Sequence, residues 1–501
     1  MSQLRTPNSE LRTHPTAMIK TPNWVKNAVF YQIFPDRFAR SESKLPGQWQ
    51  ATNYEAWDAT PTYQGYKGGN LWGIIEQLDY IQDLGANAIY FTPIFQSASN
   101  HRYHTHDYYQ VDPILGGNTA FAALIKAAHE REIKVVLDGV FNHASRGFFF
   151  FNDILENGSH SPWLDWFKIS DWPLSAYDGG KPAHYEGWTG DRALPEFNHD
   201  NPQVKEYIMQ VAEYWLHQGI DGWRLDVPNE IDAPGFWQEF RDRVKAVNPE
   251  AYIVGEIWGD ASPWLDGTQF DGVMNYRFTE AAIAFAGGDN YLPEFCREEL
   301  RPYPPISGTE YAIRIDALLK LYDWEIQLAQ LNLLDSHDTP RMLTTVGEDK
   351  SSLMLATVLM MTFPGAPSIY YGDEVGLLGG KDPDCRRGFP EPEAWDREIL
   401  QAYQQLIALR HQYAALRTGK YKTLYAEQNL YVLARILDQQ EAIVAVNVGT
   451  EQASAVFGVS ELQSQSEKIV YGSGKINWHN AAEGKSIELV VPSRSSLLIV
   501  S

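Results

Sequence analysis

Three acidic residues each follow a short apolar run, and this arrangement constrains the fold more than any other feature of the sequence. The runs end at Asp226, Glu256 and Asp338. Apolar strands that finish in a charged side chain are typical of a parallel barrel, whose active site forms at the carboxyl ends of its strands. Carboxylates that converge on one cleft suit cleavage of a glycosidic bond, because that reaction uses one as acid and base and another as nucleophile or stabilising charge.

Strand and helix patterns alternate from about residue 29 to residue 410. Amphipathic helical segments lie between most of the strand-like segments, and right-handed helical crossovers between parallel strands close a barrel. The sequence therefore predicts an α/β fold, a (β/α)8 TIM barrel. The predicted strands are residues 29–34, 88–92, 134–139, 222–226, 252–256, 272–275, 330–334 and 368–371.

Two regions depart from this alternation. The stretch after the third strand has little periodicity and many aromatic, Gly and Pro residues, and loops of that length are rare unless they are functional. We therefore predict an inserted subdomain there, and the short alternating strands near the end of the chain predict an antiparallel β-sandwich. The predicted organisation is a flexible leader (1–23), a catalytic barrel (24–141 and 202–415), the inserted domain (142–201) and the sandwich (416–501).

Composition excludes several classes of function. The chain has 64 acidic and 41 basic residues, a formal charge of −23, which argues against nucleic acid as a partner. Neither a membrane span nor an apolar signal-peptide core is visible, so we expect a cytoplasmic protein without a membrane partner. The two cysteines, Cys296 and Cys385, have no spacing that predicts a disulfide framework or a zinc site.

Four short motifs occur in order along the predicted barrel. They are Asp138-Gly-Val-Phe-Asn-His143, Gly222-Trp-Arg-Leu-Asp226, Gly255-Glu256 and Ser336-His-Asp338. Together they resemble the conserved regions of the α-amylase family, glycoside hydrolase family 13. Residues 254–262 and 369–376 and the segment Val227-Pro-Asn-Glu230 are similar to the cyclomaltodextrinase, neopullulanase and maltogenic amylase group of that family.

The resemblance implies a role for each predicted catalytic carboxylate. Asp226 would be the nucleophile, Glu256 the general acid and base, and Asp338 the group that stabilises the transition state. Arg224 lies two residues before Asp226, points the same way from a strand, and would favour its ionised form. The alternative is that these carboxylates only form salt bridges within the barrel; their common position at strand ends argues against it.

The resemblance also implies residues that bind the substrate. His143, His337, Tyr103 and His101 would contact the sugar ring next to the cleaved bond. Two pairs would lie further out, Glu230 and Trp258 on the acceptor side and Asp382 and Arg386 on the donor side. The alternative for each of these eight positions is that the residue has no role in binding and is an ordinary residue of the barrel rim.

The sequence departs from this group at three places. The barrel begins at about residue 24, without the N-terminal β-domain through which many members dimerise, so a homodimer stays an open question. Residues 39–50 lack the run of Asn and Asp oxygens that calcium prefers, so we expect no cofactor and no metal, and we interpret His104 and His106 as loop residues. Residues 194–198 differ from the motif typical of the group, so the preference for a linkage could differ too.

The sequence thus predicts a retaining α-glucoside hydrolase that acts on cyclodextrins, maltooligosaccharides and related α-glucans. Cleavage of α-1,4 linkages is expected, α-1,6 linkages are left open, and transglycosylation is expected as a side activity. An α-1,6-specific debranching enzyme or a glucanotransferase is the alternative on the same scaffold. A catalytically silent carbohydrate-binding relative is the alternative of another class, but such a relative is expected to lose some of the three carboxylates.

Overall fold

Eight short parallel strands form the centre of the computed structural model, which describes residues 19–41, 53–295, 305–459, 462, 468–481 and 484–501. Each strand lies within one or two residues of its predicted position. The strands are β1 (Phe30–Ile33), β2 (Ala88–Phe91), β3 (Lys134–Gly139), β4 (Gly222–Leu225), β5 (Tyr252–Gly255), β6 (Gly272–Val273), β7 (Leu331–Leu333) and β8 (Ala366–Tyr370).

The strands close into a ring. Their hydrogen-bonded order is β6-β5-β4-β3-β2-β1-β8-β7, and a parallel bridge between Met274 and Leu331 joins the two ends. Nearly every residue of these strands is buried, as expected for parallel strands covered on both faces. The predicted (β/α)8 TIM barrel is confirmed.

Helices surround the barrel and return the chain to the start of most strands. Side-chain caps mark several of their first turns, such as Asn201 before Pro202, where the Asn201 side chain accepts from the Gln203 N–H. Between β5 and β6 the structure has only the short 3-10 turn Ser262–Trp264. The helices are Asn23–Lys26, Pro35–Phe38, Leu71–Glu76, Leu78–Leu84, Gly117–His129, Phe149–Asn157, Pro202–His217, Phe236–Val247, Tyr276–Gly287, Gly308–Leu321, Trp324–Gln327, Met342–Thr345, Lys350–Thr362, Arg397–Gln412 and Ala414–Thr418.

The segment that leaves the barrel after β3 is ordered, and its buried side chains continue the core of the barrel. Phe151 and Phe197 are fully buried in it, and its helix is Phe149–Asn157. An antiparallel bridge between His143 and Glu196 holds its first residues against its last ones. This segment therefore stands over the carboxyl ends of the strands as an ordered unit. Its exact boundaries, like those of the other domains, remain predictions.

The C-terminal region is made of two antiparallel sheets, with strand orders β9-β10-β11-β16-β13 and β12-β15-β14. Alternate residues of β10 face opposite ways: Val432 belongs to the core between the sheets, whereas Leu433 belongs to the core shared with the barrel. The strands are β9 (Lys420–Glu427), β10 (Leu430–Leu437), β11 (Gln440–Asn447), β12 (Ala453–Gly458), β13 (Ile469–Gly472), β14 (Lys475–Ala481), β15 (Gly484–Val491) and β16 (Ser495–Val500).

Some sequence predictions concern residues outside the described ranges. These are Cys296, most of the predicted leader (residues 1–18), and most of the segment that we examined for calcium ligands (residues 42–50). Among the residues that the structure does describe, no helix is both long and apolar enough to cross a bilayer.

Candidate active site

The predicted catalytic carboxylates stand together at one end of the barrel. The ladder hydrogen bonds continue one residue beyond the strands, since Asp226 N–H donates to Gly139 at 3.1 Å and Glu256 N–H donates to Leu225 at 2.9 Å. This continuation holds both backbones rigidly where the side chains enter the cleft. Asp226 and Glu256 are buried, and Asp338 keeps 21% of its side chain exposed.

Arg224 lies at the centre of this group and is fully buried. Its Nη1 donates to Asp226 Oδ1 and to both carboxylate oxygens of Asp138, each at 2.9 Å. Its Nη2 lies 2.9 Å from Glu256 Oε2, although outside hydrogen-bond alignment. One guanidinium therefore faces three carboxyl groups. Asp138 was missing from the predicted site, although it begins the first of the four motifs.

The excess of carboxyl groups over cations determines where a proton is retained. Burial raises the pKa of Glu256, the charge of Arg224 opposes this, and the nearby Asp338 and Asp138 add to it. Burial also raises the pKa of Asp226 well above its usual range, and the charge of Arg224 opposes this. The two carboxyl groups differ in geometry: Asp226 has an aligned hydrogen bond from Arg224, which favours its ionised form, whereas the contact of Arg224 with Glu256 is not aligned. We therefore assign the retained proton to Glu256 and the negative charge to Asp226.

Tyr103 and His337 form a second network beside the carboxylates. Tyr103 Oη donates to Asp138 at 2.9 Å and lies 2.6 Å from His337 Nε2. Gln32, on β1, places its amide nitrogen 2.9 Å from His337 Nδ1. An amide that donates to Nδ1 leaves the ring proton on Nε2, which faces Tyr103 and the Asp338 carboxylate 3.1 Å away. Gln32 is a second residue that the sequence analysis missed.

The segment after β8 contributes the other predicted donor-side residues. Arg386 Nε donates to the His337 carbonyl at 2.8 Å, and its Nη2 lies 3.3 Å from Asp338 Oδ1. Its Nη1 forms an ion pair with Asp382 at 2.9 Å. Arg386 thus connects Asp382 to the side of the cleft that holds Asp338.

His143 is held by an aromatic residue of the inserted segment. Its ring stacks on Trp188 with centroids 5.3 Å apart and planes at 20°. Burial lowers the pKa of His143 to about 3, so the imidazole is neutral. Neither ring nitrogen has a well-aligned hydrogen bond among the described residues, so both can serve a bound hydroxyl group. Trp188 gave no motif in the sequence and was missed.

A cavity of about 360 Å³ joins these groups. Nine predicted site residues line it, while Arg224 and His337 lie behind its wall. Glu230 is exposed on the turn Pro228–Glu230, accepts from the Asn229 amide at 3.0 Å, and lies outside this lining; its acceptor-side role stays a prediction. The lining is His101, Tyr103, His104, His143, Trp188, Asp191, Leu194, Asp226, Val227, Glu256, Trp258, Asp338, Asp382 and Arg386.

Metal binding has no candidate in the described ranges, where no three His, Cys, Asp or Glu side chains are grouped so that they could hold an ion. His104, interpreted from the sequence as a loop residue, lies on the cavity wall. The expectation that the protein needs no calcium is untested and stays a prediction.

Comparison with known proteins places this geometry in a family. The profile of the α-amylase catalytic domain matches residues 32–391, and that of the α-amylase C-terminal domain matches residues 419–499. A debranching enzyme from Nostoc punctiforme, of known crystal structure, is 62% identical, with a TM-score of 0.91 over 97% of this chain and 100% of that one. Neopullulanase 2 of Thermoactinomyces vulgaris is 43% identical over 462 residues, 89% of this chain and 74% of the relative.

The cyclomaltodextrinase of Geobacillus thermopakistaniensis is also 43% identical, over 444 residues, 88% of this chain and 72% of the relative. These matches cover the barrel, the inserted segment and the C-terminal region together, and they confirm the family that the four motifs indicate and the group to which residues 254–262, 369–376 and 227–230 are similar. The chain belongs to the α-amylase family of glycoside hydrolases.

Proposed function

We propose that this enzyme is a retaining hydrolase of maltodextrin-type α-glucans that cleaves α-1,6 linkages with the highest efficiency. The arrangement around Arg224 supports the retaining mechanism, because one guanidinium contacts both Asp226 and Glu256 and so keeps the two carboxyl groups close together, as retaining enzymes require. The linkage rests on relatives: identity is 62% to a protein named a debranching enzyme and 43% to proteins named neopullulanase and cyclomaltodextrinase. Cyclodextrins and α-1,4-linked oligosaccharides are the second candidate substrates.

The first chemical step forms a glycosyl-enzyme. Asp226 attacks the anomeric carbon while the glycosidic bond breaks and Glu256 gives its proton to the departing oxygen. The hydrogen bond from Arg224 favours the ionised form of Asp226, and burial raises the pKa of Glu256 and so favours its protonated form. In the second step Glu256 accepts a proton from water, whose oxygen replaces the Asp226 oxygen on the anomeric carbon.

The remaining cleft residues hold the sugar. Asp338 stabilises the oxocarbenium-like transition state, and the neutral His143 and the ring proton of His337 offer hydrogen bonds to hydroxyl groups. Tyr103, whose ring is fixed parallel to His337 at 6° with centroids 5.5 Å apart, offers a flat face for a sugar ring. An acceptor sugar in place of water gives transglycosylation.

Product analysis tests the linkage. Cleavage of pullulan at α-1,6 bonds yields maltotriose, whereas cleavage at one type of α-1,4 bond yields panose. We expect maltotriose from pullulan, maltosyl units from maltosyl-cyclodextrin, and slower opening of unbranched cyclodextrin. Release of panose with efficient opening of cyclodextrin would instead favour the second candidate. Hydrolysis of none of these substrates, with Asp226→Asn as the inactive control, would refute the proposal.

Two further expectations need separate measurements. Cell fractionation tests the proposed cytoplasmic location. Light scattering at several protein concentrations tests whether the enzyme forms a homodimer.

A further inference from the structure

The two oxygens of Glu256 have different partners. Oε2 accepts the backbone N–H of Val227 at 3.2 Å and lies 2.9 Å from Arg224 Nη2. Oε1 accepts from the indole Nε1–H of Trp258, also at 3.2 Å. The carboxyl group is therefore held at both ends, at one end by main chain and a cation and at the other by one neutral ring.

The main-chain end is rigid. Val227 has φ 36° and ψ 50°, a left-handed conformation that is costly for a β-branched residue. The next turn is fastened by the Trp237 indole, which donates to the Pro228 carbonyl at 3.0 Å, and by Glu230 N–H, which donates to the Val227 carbonyl at 3.1 Å. Val227 directly follows Asp226 in the chain, and this conformation directs its backbone N–H toward the carboxyl group of Glu256.

The indole end is also fixed. The Trp258 ring stacks on Tyr276 with centroids 3.7 Å apart and planes at 7°. Tyr276 is buried, while Trp258 is half-buried and lines the cleft. The N–H of Trp258 therefore cannot turn away from Glu256 without losing this stacking.

We propose that the catalytic proton of Glu256 is carried on Oε1, and that Trp258 is a positioning residue that holds this oxygen and stabilises it after the proton has left. The inference rests on the proposed acid and base role of Glu256. A proton on Oε2 would point at the Val227 N–H and the guanidinium, which are both donors. A proton on Oε1 leaves a lone pair of that oxygen for the indole N–H.

The same geometry assigns the attacking oxygen of Asp226. Oδ1 accepts from Arg224 at 2.9 Å, and Oδ2 has no hydrogen bond from the part of the chain that the structure describes. During glycosylation the Oδ2–carbon bond forms, the glycosidic bond breaks, and the Oε1 proton moves to the departing oxygen. The Trp258 hydrogen bond then strengthens because its acceptor has become a carboxylate. During deglycosylation water returns a proton to Oε1.

The substitution Trp258→Phe tests this assignment, because phenylalanine keeps a ring against Tyr276 and lacks the N–H. Loss of a donor to the carboxylate makes Glu256 hold its proton more strongly. The basic limb of the kcat/KM profile reports loss of the acid's proton in the free enzyme, so it should move to higher pH by about one unit. The charged and titratable groups that face Glu256 are Arg224, Asp138, Asp226, Asp338, Tyr90 and Tyr276, and all stay unchanged in this variant.

Trp188→Phe is the matched control, since it alters another indole of the same cleft that has no contact with Glu256. It should change KM and leave the basic limb in place. A limb that does not move in Trp258→Phe, or that moves to lower pH, would overturn the assignment. The Glu256→Gln variant tests the acid role of Glu256 separately from the positioning role of Trp258. If this variant remains active on glucans, Glu256 is not the acid.

A measurement on the unsubstituted enzyme keeps the test independent of folding of the variant. With 15N-labelled indoles, one Trp resonance should titrate with the midpoint of the basic limb, because its hydrogen-bond acceptor ionises there. If no indole resonance follows that midpoint, Trp258 does not respond to the proton on Glu256 and the proposal is wrong.

Discussion

Arg224 donates from Nη1 to Asp226 Oδ1 at 2.9 Å, and the two residues are separated along the chain by a single leucine. Side chains two residues apart on a strand lie on the same face of the sheet, so the guanidinium of Arg224 reaches the carboxylate of Asp226 within one strand segment. The same Nη1 binds Asp138 on the neighbouring strand β3. Burial raises the pKa of Asp226, and the charge of Arg224, from the same short strand segment, opposes that rise.

Replacement of the proposed nucleophile should separate binding from catalysis. In Asp226→Asn the amide oxygen can still accept from Arg224, so the fold and ligand binding should be retained. Turnover should fall by at least ~10³-fold, because no oxygen remains to form the glycosyl-enzyme. Steady-state kinetics and calorimetric titration with maltotriose check this. Substantial residual turnover with retention of anomeric configuration would exclude Asp226 as nucleophile.

The buried carboxyl cluster should make stability depend on pH. Burial raises the pKa of Glu256, so the folded state binds this proton more tightly than the unfolded state does. The raised pKa therefore stabilises the folded protein fully at pH values below the ordinary pKa of a carboxyl group. This stabilisation is lost as the pH rises through the pKa that Glu256 has in the folded state. In Glu256→Gln the melting temperature should fall less over this interval, as scanning calorimetry can show. Parallel curves for the two proteins would contradict the raised pKa.

Trp188 should contribute to substrate binding through His143. Trp188→Ala removes the ring that stacks on His143, and an aromatic pair contributes about 0.5–1.5 kcal/mol beyond buried area. We expect KM for maltooligosaccharides to rise several-fold with little change in melting temperature. Trp172→Ala is the matched control, because Trp172 lies on the same segment, is 36% exposed and does not line the cleft. If Trp188→Ala and Trp172→Ala changed KM and melting temperature equally, Trp188 would act only through the stability of the segment.

Arg435 should stabilise the contact between the barrel and the C-terminal sheets. It is fully buried on β10, donates to the Gly419 and Leu416 carbonyls at 2.8 Å, and also donates to Thr362 at the end of a barrel helix. Burial lowers the pKa of Arg435 to about 9. Arg435→Met removes the side-chain donor of the Thr362 and Gly419 carbonyls, while the Leu416 carbonyl keeps a donor from Arg410, and it should lower the free energy of unfolding by about 3 kcal/mol. Lys420→Met, at an exposed site, should change it by less than ~0.5 kcal/mol. Denaturant unfolding of both variants is the check.

The strands and the carboxylates proposed as catalytic were predictable because their signals are local. Asp226 and Glu256 directly follow buried strands of four residues, and parallel strands of a barrel bring their carboxyl ends together whatever the loops do. Arg224 followed from the two-residue period of the same strand. Family motifs then distinguished this set from ordinary salt bridges. Sequence alone therefore determined the barrel, the family and the residues proposed for the chemistry.

The surroundings of those residues were decided only by the tertiary structure. Gln32 contacts His337 from 305 residues away, and Trp188 meets His143 from an inserted segment without periodicity. The left-handed backbone of Val227, whose N–H connects the chain after Asp226 to Glu256, could not be predicted from its side chain, because valine is disfavoured in that conformation. Such contacts depend on how distant elements pack, so a pattern that reports only local geometry cannot contain them.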